Sequence, residues 1–110
     1  MKFDDAAVRA LREVIAVAQQ ARIPVLLVRM PEASHFRGFY PPAVAAEIDG
    51  FLNQLVHESG CRCCNASTWM TDDAFVDWHH MWPKQAGIFT ERFAREEIEP
   101  LLQSMPGGVP

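Results

Sequence analysis

An acid stands three residues before a histidine in the run Asp77-Trp78-His79-His80. On a helical turn, residues three apart share a face, with Cβ atoms about 5–6 Å apart. The Asp77 carboxylate is therefore placed to hold the His80 imidazole in one tautomer and to stabilise it once protonated. That is the supporting half of an acid–histidine–nucleophile arrangement, in which histidine moves a hydroxyl proton and the acid orients the ring. His79, two residues from Asp77, is expected to point elsewhere. A solvated turn ahead of a helix is the other reading of the same spacing.

Two further groups of side chains bear on chemistry. The segment Glu32 to Pro42 is polar and aromatic, and it leaves the carboxyl end of an apolar strand. In open α/β sheets, ligands bind beyond such strand ends. His35, Arg37 and Tyr40 are accordingly the candidates for substrate contact. Ser34-His35 has the residue types of a nucleophile and base, but neighbours in sequence rarely meet, and nothing around Ser34 resembles a strained nucleophile elbow. The second group is Cys61, Cys63 and Cys64. Structural zinc usually takes cysteine pairs with two to four residues between them, which C-x-C-C does not offer, and alternate strand residues point to opposite faces. Buried thiols acting as small hydrophobes are expected, with no metal and no organic cofactor.

Five elements must position these residues. Asp4 to Ala21 is an amphipathic helix by the spacing of Val8, Leu11, Val14, Ile15 and Ala18, with Asp4 or Asp5 as its N-cap. Ile23 to Met30 is the strand, a continuous apolar run of the kind covered on both faces in parallel sheets. Ala43 to Ser59 is the second helix, with Pro41 and Pro42 at its start and Gly60 at its end. Gly50 in its middle has no evident reason. Cys61 to Ala66 is a short second strand, and Asp72 and Asp73 read as caps of a short turn. The last helix runs from about Pro83 to Gln103, with an interruption expected at Pro100. Trp69, Trp78 and Trp82 are expected to wall the histidine. Alternation of this kind favours an α/β fold with a short parallel sheet. Residues 1–104 form the domain, and 105–110, MPGGVP, a flexible tail.

The block from Phe75 to Met81, followed by Gly87-Ile88-Phe89-Thr90 and a final helix, resembles the last conserved block of the SGNH (GDSL-like) hydrolase superfamily. The cell-envelope acyltransferase and esterase branch, DltD-like in flavour, is the closest in pattern. The resemblance implies a three-layer α/β/α flavodoxin-like fold. It implies an ester hydrolase or O-acyltransferase acting on small-molecule or carbohydrate esters, with Asp77 and His80 as two triad members. The chain has neither the Gly-Asp-Ser block that supplies the nucleophile nor the Gly-x-Asn-Asp block of the oxyanion hole. It therefore looks like the C-terminal half of such a domain. A non-catalytic interaction module, a degenerate remnant or half of a split assembly, is the alternative.

Composition bounds the rest. The chain has 110 residues, which is one domain or part of one, and its 49 % apolar and 22 % charged content is that of a folded protein. A net charge of −4 without a basic block gives no footprint for nucleic acid. No apolar run approaches the ~20 residues of a membrane span. No signal peptide is visible, so a full-length chain would be cytoplasmic. Half a doubly wound domain leaves a strand edge unpaired. Association is expected, as a homodimer or with a missing N-terminal half.

Overall fold

Asp4 opens the first helix by accepting from the backbone N–H of Ala6 at 2.8 Å and from that of Ala7, which satisfies two of the donors a helix start leaves over. In the computed structural model, which describes residues 3–105 and 107, that helix is α1, Asp5–Gln20. The chain continues as β1, Leu26–Arg29; α2, Ser34–Arg37; α3, Pro42–Ser59; and β2, Arg62–Asn65. A 3₁₀ turn, Asp72–Ala74, precedes α4, Pro83–Phe93, and α5, Glu99–Gln103. The chain is mixed α/β, with β1 and β2 paired in parallel as a two-stranded sheet. Backbone bonds from Arg62 to Val25 (3.0 Å) and from Ala66 to Arg29 (2.9 Å) fix its register. Of the expected tail, only Met105 and Gly107 fall among the described residues.

The chain divides into two compact units, residues 1–28 with 40–63, and residues 29–39 with 64–110. In the first, Ile15 of α1, Leu55 of α3 and Cys61 form the buried centre, with Leu11, Val25, Leu27, Phe51 and Val56 packed around it. Arg12 reaches Glu58 with Nε and Nη2 at 3.1 and 3.0 Å. Val14 departs from the expected core: it is 64 % exposed, beside Val17 and Ile23 at 59 % and 57 %. The stripe read from spacing is wider than the face α3 covers. The helix ends are closed in two ways. After α3, Gly60 takes the left-handed conformation at φ 74°, as a glycine suits best. After α1 the same position is held by Arg22 at φ 59°. Arg22 and Ile23 there donate to the carbonyls of Gln19 and Ala18 at 3.0 and 2.8 Å, the paired closure of a Schellman end.

In the second unit Ala33, Ala74 and Phe75 are buried, flanked by Met70 and Met81. Phe89 of α4 is buried against Trp69, ring centroids 5.8 Å apart, and the Arg92 guanidinium lies 3.9 Å over that indole. Ile88, next to Phe89 on the same helix, is half exposed. The interruption expected at Pro100 takes the form of a π-helical stretch, Ala94–Ile98, just before it. Proline offers no N–H and its ring crowds the carbonyl four residues back, so a widened turn ahead of it relieves both defects.

Candidate active site

The site is a closed loop on the second unit. Phe75 and Met81 form an antiparallel bridge, and the Val76 N–H donates to the His80 carbonyl at 2.7 Å. Trp82 donates to Ala74 at 2.9 Å, and Ala33 donates to the Trp78 carbonyl at the same distance. These bonds bend residues 76–80 into a loop anchored at both ends by buried Phe75 and half-buried Met81.

Inside the loop Asp77 does most of the organising. Its Oδ1 accepts from the backbone N–H of His79 at 2.9 Å and of His80 at 2.6 Å. Its Oδ2 meets Nδ1 of His80 at 2.7 Å. These bonds, the His79 N–H first, then the His80 ring and the His80 N–H, hold the Asp77 carboxyl well below the usual carboxylate range. The acid–histidine contact expected from the three-residue spacing is therefore present, although on a loop and not on a helical turn.

His79 does not point elsewhere. Its ring centroid lies 4.0 Å from that of His80, and its Nδ1 is 3.8 Å from Asp77 Oδ1. The reading from spacing assumed helical rotation, which separates consecutive side chains. Asp77 instead bonds the N–H two residues on, an Asx turn, and that curl brings both imidazoles to one carboxylate. All three residues are solvent-exposed, and one donor atom from each lies within 4.8 Å of the others.

The loop carries an aromatic flank. The His35 ring lies 4.2 Å from Trp78 and 5.4 Å from Phe39. Phe36 lies 5.1 Å from His79. His35, a candidate for substrate contact, is thus brought by α2 against Trp78 of the loop. Arg37 is turned to structural use, with Nη1 bonded to the carbonyls of Glu32 and, at 3.1 Å, Ser67. Tyr40 belongs to the first unit. Of the three tryptophans only Trp78 lines this flank; Trp69 packs on Phe89, and Trp82 is half exposed.

Asp72, expected as a cap of its own turn, does not cap it: Thr71 holds that position, without a side-chain capping bond. The Asp72 carboxylate accepts from the Ser34 hydroxyl and, at 2.7 Å, from the Ser34 N–H, at the start of α2. The Ser34 hydroxyl and then the Ser34 N–H lower the Asp72 pKa. Sequence reading missed this pair because its members lie 38 residues apart. Each of the other serine hydroxyls also donates to a nearby acceptor: Ser59 to Leu55, Ser67 to Asn65 and Ser104 to Leu101. Cys61 and Cys64 are buried, as expected of small hydrophobes, and Cys63 is exposed.

The Asp77–His80 contact is thus positioned by short-range bonds of the loop itself, and the aromatic flank by α2. Compared with family models, curated proteins and solved structures, the chain matches none.

Proposed function

We propose that the chain carries the acid–histidine half of an SGNH-like ester hydrolase or O-acyltransferase, acting on small-molecule or carbohydrate esters. The observation behind this reading is the 2.7 Å contact between His80 Nδ1 and Asp77 Oδ2 on a solvent-exposed loop. With the Nδ1 proton donated to Asp77, His80 Nε2 is the basic atom. It takes the proton from a seryl hydroxyl as that oxygen attacks the ester carbonyl, then returns it to the leaving alkoxide. Asp77 remains ionised at neutral pH, orients the ring and stabilises the imidazolium. His35 and Trp78 offer an aromatic wall beside the dyad for the acyl or sugar group. The nucleophile and the oxyanion donors are assigned to a Gly-Asp-Ser-bearing segment, joined to this one or supplied by another chain.

The test is acetyl-ester cleavage by this chain combined with such a segment, with chelator present. Cleavage is expected on combination. His80→Ala should lower kcat by roughly 10³-fold or more, and His79→Ala should largely spare it. No cleavage on combination, or equal losses for the two histidines, would overturn the proposal.

One observation favours a second reading, a non-catalytic interaction module. Every serine hydroxyl of the chain donates to an acceptor other than His80. The isolated chain should therefore leave a serine-directed fluorophosphonate unreacted. Labelling at Ser34 that disappears in His80→Ala would instead make the chain a complete small esterase.

A further inference from the structure

The loop from Val76 to His80 brings together one carboxylate and two imidazoles. We propose that Asp77, His79 and His80 form a binding site for a divalent transition-metal ion, with Zn²⁺ as the test ion. The donor chemistry fits: neutral imidazole and carboxylate oxygen are ordinary ligands for zinc and its neighbours, and three protein donors leave a position open for solvent. The geometry fits as well. With Zn–N and Zn–O bonds of about 2.0–2.2 Å, two donors on one tetrahedral ion lie about 3.4 Å apart. His80 Nδ1 is already 2.7 Å from Asp77 Oδ2, and His79 Nδ1 is 3.8 Å from Asp77 Oδ1. A donor atom from each of the three lies within 4.8 Å of the others. Side-chain adjustments of about an ångström complete the set.

The site is also preorganised. The backbone bonds to Asp77 Oδ1, the Val76–His80 closure and the Phe75–Met81 bridge hold the loop without any help from an ion. All three side chains are exposed, so an ion reaches them from solvent. The cysteines do not contribute. Cys63 and Cys64 lie in β2 and Cys61 just before it, and the donors of this site all come from one five-residue loop.

Metal binding and the proposed base chemistry exclude each other. An ion on His80 Nδ1 replaces the hydrogen bond to Asp77, and the single proton of the neutral ring then resides on Nε2. That nitrogen can no longer accept a proton from a hydroxyl. Zn²⁺ would therefore act as an inhibitor of the dyad. The binding itself does not rest on the hydrolase reading.

The experiment is a Zn²⁺ titration of the chelator-treated protein, followed by calorimetry and by the ring ¹H–¹⁵N signals of the histidines. One equivalent should bind, and the signals of His79 and His80 should move together while those of His35 and His57 hold still. Asp77→Asn and His79→Gln should each weaken binding by at least about tenfold. Two results would overturn the site. One is no saturable binding. The other is binding that leaves the His79 and His80 signals in place and persists in both variants, which would assign the ion to the thiols. The ring signals are read on the unaltered protein, so a variant that fails to fold leaves the test intact. Ester cleavage under chelator reports on the hydrolase reading separately.

Discussion

Asp77 accepts from two backbone N–H groups and meets one imidazole, and each of these bonds favours its ionised form. Its carboxyl is therefore held below the ordinary value of 3.8. The sign of the linkage follows. A carboxylate with a depressed folded pKa stabilises the fold above its unfolded pKa, and that contribution is lost as pH falls through the folded value. Asp77→Asn should thus lower the urea midpoint at neutral pH, and the gap to the parent protein should close on acidification below about pH 4. A gap independent of pH from neutrality down to about pH 2 would show that the charge contributes nothing. The contact with His80 was legible in the three-residue spacing, although the helical turn behind that reading is a loop in the structure. The position of His79 was not, because it depends on which backbone N–H the carboxylate takes. The clue was Asp-x-His itself, the spacing of an Asx turn.

The helices were the most legible elements. Their starts and ends are written in local chemistry: Asp4 before α1, Pro42 at the first position of α3, Gly60 after it. The strand was over-read at Ile23 to Met30: the strand itself is Leu26–Arg29, with the Val25 carbonyl accepting from Arg62 at its edge. Apolar character alone does not supply a partner. Helix α2 was hidden inside a loop, because four residues show no periodicity and its start is held by the distant Asp72. Gly50 now has a clearer status. It lies within α3, is exposed, and an added Cβ meets nothing within 4 Å. Neither a close approach nor a special dihedral angle requires glycine there. Gly50→Ala should stabilise the protein by about 0.5–1 kcal/mol, read from the denaturation midpoint. A loss of stability would mean that α3 needs the flexibility.

At the scale of the molecule, the buried apolar set is thin. Leu55 is the one large side chain with under 2 % exposure among the described residues. Val14, Val17 and Ile23 meanwhile line a shallow groove on the first unit. Among the described residues no helix is long and apolar enough to cross a membrane. The exposed stripe leads to an expectation about association. The protein should self-associate as its concentration rises, and Val17→Glu should shift it toward monomer in light scattering while leaving the circular dichroism unchanged. Equal masses for the two proteins would show that the stripe is simply solvated. The alternation of helix and strand was enough to place the chain among α/β proteins. Its division into two units was not legible, since two of the three crossings between them fall within the strands, at Val28 to Arg29 and Cys63 to Cys64, where composition does not change.

That second boundary has a consequence for how the opening of the protein can be timed. Cys61 lies in the first unit and Cys64 in the second, and each is about 5 % exposed. Cys63 between them is exposed. An alkylating reagent should therefore mark Cys63 at once, in the native protein. The other two thiols become reactive only when their own unit opens. Pulsed alkylation followed by peptide mass analysis thus gives each half of the molecule its own clock. Equal rates at Cys61 and Cys64 would mean that the halves open as one cooperative structure. A faster rate at either would identify the half that opens first.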